Sequence, residues 1–127
     1  MGIESFRDDK LTERIIDCII RVHRTLGPGF LEKVYRRALL FELREQGLTT
    51  ETEKQFTVYY GGKAVGQHRL DLLVEGRVIL ELKTVECLSK AHYAQVRSYL
   101  KASGLPLALL VNFSEELANF RRIEARR

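Results

Sequence analysis

The sequence predicts an α/β fold, a single-layer mixed β-sheet with flanking helices, on three observations. Helical periodicity fills the first third of the chain. Period-two alternation follows between about residues 55 and 85. A further helical segment then leads into an apolar run at 107–113. The order α-α-β-β-β-α-β, with a strand apolar on both sides after the last helix, suits a sheet with a parallel or central strand and helices packed on it.

Each element has a local reason. In LTERIIDCIIRVHRTLGPG, the residues Ile15, Ile16, Ile19, Ile20, His23 and Leu26 keep helical spacing. Thr12 is placed as the N-cap, and Gly27-Pro28-Gly29 stops the helix. A second helix is predicted over about 31–46, with Gly47 at C′ and an apolar stripe of Leu31, Val34, Tyr35, Ala38, Leu39 and Phe41. QFTVYYGG alternates Phe56, Val58 and Tyr60 as a strand, and a hairpin over roughly 67–74 and 77–85 comes next. The third helix starts at Ser89 as N-cap and ends before Gly104. LALLVNF reads as a strand buried on both faces, and a short edge strand is expected around 120–124.

Composition bounds the answer. At 127 residues and 45% hydrophobic, the chain fits one domain spanning 1–127, with 1–10 and 124–127 expected as loose ends. No apolar run approaches the roughly 20 residues of a membrane span. MGIESFRDDK carries charges where a signal peptide needs an apolar core, which points to the cytoplasm. Cys18 and Cys87 lie in apolar segments and read as buried free thiols in a reducing compartment. No Cys or His pair has zinc-ligand spacing. Of the net charge of +4, the tail RRIEARR supplies +3 from four arginines and one glutamate, and the other 120 residues supply only +1. A basic tail can touch phosphates, but a solvated end explains it equally well.

The hairpin RLDLLVEGRVILELKTVE carries the chemistry. Its even positions, Leu70, Leu72, Val74, Val78, Leu80 and Leu82, are all apolar, whereas the odd ones include Asp71, Glu81 and Lys83. A two-residue turn at Glu75-Gly76 would pair Leu70 with Glu81 and half-charge both faces. An odd loop or a bulge, with Gly76 in the left-handed region, puts the six apolar residues on one face and the three charges on the other. Two carboxylates held that close repel each other, and a divalent cation relieves the penalty. All-oxygen ligation with open positions favours Mg²⁺, with Mn²⁺ as substitute. Such an ion polarises a phosphoryl oxygen and acidifies a water. Lys83 faces the same space, where it would orient the water and stabilise charge on a pentacovalent phosphate. The plainer alternative is a surface ion cluster in which Lys83 neutralises Glu81.

The segment GFLEKVY holds Gly29, Glu32 and Tyr35 at G-x-x-E-x-x-Y spacing after HRTLGP. Together with RLDLLVE, VILELKTVE and AQVRSYL it resembles the GxxExxY proteins of the PD-(D/E)XK nuclease superfamily, over about residues 11–122. The resemblance implies a restriction-endonuclease-like αβββαβ core with an added N-terminal helix. It also implies Asp71 and Glu81 as metal ligands, Lys83 as the motif lysine, the Leu82 carbonyl as a backbone ligand and Glu32 as a further acid completing the metal shell. Gln95 and Tyr99 resemble the Q-x-x-x-Y signature of RecB-type nucleases, which positions substrate or water. Leu70 stands where the name-giving proline would be.

Single residues have plainer explanations too. Glu32 in a first helical turn favours the helix dipole by roughly 0.3–1 kcal/mol. Gln95 and Tyr99 share a helix face with His92, which fits a polar surface as well as a site wall. His68 reads as a core or rim histidine, His23 as structural and Tyr35 as packing. Gly27 and Gly29 read as turn residues, because Pro28 removes an N–H that a phosphate loop would use. Three function classes stand: a Mg²⁺-dependent nuclease on nucleic acid, DNA in preference to RNA and with a homodimer as an option; a non-catalytic nucleic-acid- or partner-binding module on the same fold; and an assembly protein with an incidental acidic cluster.

Overall fold

The computed structural model describes residues 3–126, with side chains from residue 8 onward. Two helices, α1 (Ile3–Leu26) and α2 (Glu32–Glu45), precede three strands, β1 (Thr50–Tyr60), β2 (Lys63–Val74) and β3 (Val78–Lys83). Helix α3 (Lys90–Ser103), β4 (Leu107–Asn112) and β5 (Asn119–Glu124) follow. Among the described residues the strands form one sheet in the order β1-β2-β3-β4-β5, parallel between β3 and β4 and antiparallel elsewhere. The mixed α/β class is as the sequence predicts.

Apolar packing covers both sheet faces. Ile15, Ile19, Tyr35, Leu39 and Leu43 of α1 and α2 meet Leu72, Val74, Val78, Leu80 and Leu82 on one side. Val96, Tyr99 and Leu100 of α3 meet Leu73, Ile79, Ala108 and Leu110 on the other. Each such aliphatic side chain contributes about 1.5–3 kcal/mol on burial. β4 is buried along its whole length, as expected of a strand covered on both faces.

The first helix differs from its predicted start. It begins nine residues before Thr12, so part of the expected loose 1–10 segment is helical; residues 1, 2 and 127 lie outside the described residues. Thr12 is interior, and its hydroxyl donates to the Asp8 carbonyl at 2.6 Å. Asp8 is tied to Arg77 by two contacts of 2.6 and 3.0 Å, a link across the fold that local periodicity does not reveal. In α2 the buried stripe is Tyr35, Leu39 and Leu43, whereas Leu31 and Phe41 of the expected stripe are exposed. Gly47 does end it: its N–H bonds Arg44 and the Leu48 N–H bonds Leu43, a Schellman motif with Leu48 packed in the same cluster as Leu43.

The predicted odd loop is present. Val74 pairs with Val78, leaving Glu75, Gly76 and Arg77 between them, and both Glu75 and Gly76 have positive φ. Nothing lies near the position a Gly76 Cβ would take, so Gly76→Ala is expected to cost about 1–2 kcal/mol from the left-handed backbone alone, measurable by urea unfolding.

The expected single core face holds for five of its six residues. Leu70 packs with the α3-side cluster, while Leu72 packs with the α1/α2 side. Alternation therefore breaks at Asp71. Across the strand pair the break faces Glu53, a non-glycine residue at φ 52°, between the pairs Thr52–Leu72 and Lys54–Leu70. Beyond the break, β1 and β2 continue as a two-stranded ribbon well past the predicted strand starts, turning at Gly61-Gly62, which belong to the turn and not to the strand. Cys18 is buried and free, but Cys87 is exposed in the loop after β3, contrary to expectation. Among the described residues no helix is long and apolar enough to cross a membrane.

Candidate active site

β3 supplies the middle of the site. Leu80 and Leu82 face the α1/α2 side, so Glu81 falls on the α3 side with Ile79 and is only 4% exposed. Lys83, two residues on, follows the same side. Its Nζ lies 3.6 Å from Glu81 Oε2 and donates to Gln95 Oε1 at 2.9 Å. Asp71 enters from β2 at the break in alternation, where its Oδ2 accepts the Leu82 N–H at 2.8 Å. Backbone pairing between β2 and β3 extends only to Leu72–Leu80, so a carboxylate takes over where the ladder stops. The break thus brings Asp71 to the sheet rim, within reach of both helical layers.

Glu32 reaches the rim from the opposite layer. It is the first residue of α2, delivered by the loop at Gly27 to Leu31. That loop is pinned by Tyr35, whose hydroxyl donates to the Gly27 carbonyl at 2.5 Å and accepts the Phe30 N–H at 3.2 Å. The Glu32 and Asp71 carboxyls are close enough to share a hydrogen bond.

Crowding and burial act together on these acids. Burial pushes the Glu81 carboxyl up to about 8, reinforced by the Asp71 charge and opposed by Lys83. Burial also raises Asp71, against the Leu82 N–H, Arg36 and Lys83. Glu32 is raised first by burial and then by the Asp71 charge. Tyr99 is pushed up to about 12 by burial and by the negative charges of Glu81 and Asp71. Oε1 of Glu81 is buried with no hydrogen-bond partner, a costly state for a carboxylate oxygen.

A family model described as the PD-(D/E)XK nuclease superfamily matches residues 9–123. The chain belongs to the PD-(D/E)XK nuclease superfamily. Among solved structures it is similar to the protein of "Crystal structure of SSO0001", at TM-score 0.60 and 20% identity over 75% of this chain. It spans half the length of that protein, and the likeness concerns the fold. An alkaline exonuclease from Laribacter hongkongensis aligns at TM-score 0.48 and 14% identity, covering 99% of this chain and 73% of its own. Comparison with curated proteins gives no match.

Nucleases of the PD-(D/E)XK superfamily typically use divalent metal ions, and this chain's donors can be tested for fit. Among the described residues no three His, Cys, Asp or Glu side chains are gathered into a ready cage. What fits a cation is the Asp71–Glu81 pair. It is all oxygen, holds the unpartnered Oε1 of Glu81, and includes the Asp71 charge that raises both Glu81 and Glu32. A divalent charge at that point would reverse each of these penalties.

The remaining expected residues divide. Gln95 and Tyr99 stand beside the cluster, Gln95 through Lys83 and Tyr99 through the electrostatic effect of both acids. His92 serves the helix: its Nδ1 accepts the Ser89 N–H at 2.9 Å, closing a capping box. His68 is half-buried beside Tyr99, with ring centroids 4.4 Å apart and Nε2 3.3 Å from the Ser98 hydroxyl. His23 is structural as expected, bonded to the Glu115 carbonyl at 2.7 Å. Two contributors lie outside the expected set. Arg36, one turn after Glu32, opposes the rise of both Glu32 and Asp71; its i,i+4 spacing from Glu32 was the available signal. Asn112, fully buried at the end of β4, accepts from Val85 N–H at 3.1 Å and donates to Val85 O at 2.8 Å, fixing the chain just after Lys83. A lone polar residue closing the apolar run LALLVN was its trace in the sequence.

Proposed function

We propose that this chain is a Mg²⁺-dependent nuclease that hydrolyses phosphodiester bonds, with DNA as substrate in preference to RNA. The observation that carries this reading is the convergence of Asp71, Glu81 and Lys83 at one point of the sheet rim, with a Glu81 oxygen buried and unpartnered. Likeness to the GxxExxY proteins supports the same assignment of roles.

Asp71 and Glu81 would hold the ion, with the Leu82 carbonyl and Glu32 completing the donor set. A bound divalent ion would supply positive charge to the scissile phosphate and lower the pKa of the attacking water. The Leu82 N–H fixes Asp71 by occupying one of its oxygens. Gln95 holds the Lys83 ammonium at the mouth of the cluster, where it would orient the water and balance charge gathering on phosphate oxygens. Tyr99, kept protonated by burial, would serve as a donor to substrate or water rather than as a base.

The test is a cleavage panel on single-stranded, double-stranded and branched DNA and RNA with Mg²⁺ or Mn²⁺. Asp71→Ala is expected to reduce cleavage to background. Lys83→Ala is expected to cost about 10²–10³-fold. Cleavage that survives Asp71→Ala, or no cleavage of any substrate by the unaltered chain, would overturn the proposal.

A further inference from the structure

The β1–β2 ribbon beyond the Asp71 break carries an asymmetric surface that the nuclease reading leaves unused. Residues 54–70 contain three cations, Lys54, Lys63 and Arg69, and no acid. Lys54 and Arg69 lie 3.7 and 3.9 Å from Glu51 and Glu53 at the ribbon base, which leaves Lys63 at the tip as the cation furthest from any acid of the ribbon. Tyr60 is 80% exposed and Tyr59 68% exposed, unusual for large side chains.

Register assigns these groups to faces. Phe56, Val58 and Tyr60 alternate along β1 and share one face. Their partners on that face include His68, opposite Phe56, and Lys63, opposite Tyr60. Phe56 packs against the α3-side cluster, and the His68 ring meets Tyr99. The register shifts between Val58 and Tyr59, with Val65 of β2 left unpaired, so β1 keeps its alternation and the face runs from Tyr99, beside the carboxylates, through His68 and Phe56 and past the bulge to Tyr60 and Lys63. Lys63 lies eight positions before Asp71, roughly 25 Å along the strand. Flat rings spaced along a strand, with cations and no acids, are what a nucleic-acid strand with unpaired bases requires: every base offers a π-face to stack, and its phosphates seek the ammonium. Bases inside a duplex are stacked on each other and cannot use such rings.

We propose that this face of the ribbon is a track for single-stranded nucleic acid, with a base on Tyr60 and its backbone on Lys63, leading the strand past His68 toward the carboxylate cluster. The track rests on the nuclease reading only for its destination; its binding is separable from cleavage.

Binding is measured by anisotropy of a fluorescein-labelled oligothymidylate and of a blunt labelled duplex, with the full chain in EDTA so that nothing is cut. The oligothymidylate is expected to bind more tightly than the duplex. Tyr60→Ala weakens it about tenfold. Lys63→Ala lowers the slope of log affinity against log salt by about 0.7. Tyr59→Ala, on the opposite face, leaves binding near its original value. Both tyrosines are exposed, and unchanged melting temperatures exclude misfolding as the cause. Absence of binding, preference for the duplex, or equal losses from Tyr59→Ala and Tyr60→Ala would overturn the track. So would a concentration-dependent dimer dissolved by Tyr60→Ala, which would make the ribbon a self-association edge. Cleavage lost in Asp71→Ala with binding unaffected by Tyr60→Ala would sink the track and keep the nuclease. The reverse pattern, a binding loss in a chain that never cuts, would keep the track and sink the nuclease.

Discussion

Glu81→Gln is expected to stabilise the metal-free protein at pH 8 while removing its metal-dependent cleavage. The two effects share one cause. Glu81 is almost wholly buried, one of its oxygens has no partner, and its carboxyl is pushed up to about 8 by burial and by Asp71. In the unfolded chain it would titrate near the ordinary glutamate value of about 4.3. The folded state therefore keeps a proton that the unfolded state releases. Its stabilising contribution is complete below the unfolded value and is lost as pH rises through about 8. The loss is on the order of a few kcal/mol, or roughly 5–15 °C in Tm for a domain of this size. The amide carries no charge to desolvate, so the variant avoids this loss. A weaker pH dependence remains, since Asp71 and Glu32 are raised in the same sense. Adding Mg²⁺ at pH 8 should restore stability to the unaltered chain, by about 2.7 kcal/mol at a hundredfold excess over Kd, and do little for Glu81→Gln. Urea titrations from pH 5 to 9, with EDTA or with Mg²⁺, decide this. Stability of the unaltered metal-free chain that stays level or climbs between pH 5 and 8 would contradict it.

Legibility in the sequence followed burial. Where one face of an element is buried, residue periodicity shows it. The even-numbered apolar residues of β2 and β3 implied the three-residue loop, and the loop is present. Signals that depend on distant contacts did not show. The early part of α1 carries Asp8, whose partner Arg77 lies 69 positions away. The outer ribbon is largely exposed, partly buried only near Phe56 to Val58 and His68, so it has little burial alternation to read, and its strands extend beyond the predicted bounds. The Leu70 error has another origin. A parity rule assumes unbroken pleating, and the pleat breaks at Asp71 opposite Glu53, whose left-handed backbone is out of place for glutamate. The rule failed at the residue the chemistry needs displaced, where strain is most often retained. Helical geometry set Glu32 at the edge of the apolar stripe, between the directions of Leu39 and Leu43, so that it could face inward. Its role came from motif resemblance, because nothing in an amphipathic helix tells its first turn which sheet rim it will meet.

Phe113→Ala should be the most destabilising single change in this fold, and its effect should extend to the site. Phe113 is fully buried just past β4. Its ring stacks on Tyr35 at 4.4 Å and 8° and lies 6.1 Å from His23, so it joins α1, α2 and the sheet. Its N–H bonds the Lys83 carbonyl at 3.0 Å, tying the same residue to the end of β3. Truncation removes a large apolar side chain and leaves a cavity between three rigid elements that cannot all close on it. The expected cost is about 3–5 kcal/mol, near 10–20 °C in Tm. Tyr35→Phe is the informative comparison. It keeps the stack and removes only the hydroxyl that pins Gly27 and Phe30, so its stability cost should be about 0.5–1.5 kcal/mol. That hydroxyl holds the loop that delivers Glu32, and its removal should weaken Mn²⁺ binding about 10–100-fold, the usual scale for groups that support metal ligands. Packing and positioning thus separate along one pair of rings: one partner chiefly sets melting temperature, the other chiefly sets metal affinity. Equal and small melting losses from both variants, with Mn²⁺ binding intact in each, would show that the ring stack supports neither the fold nor the acid at the start of α2.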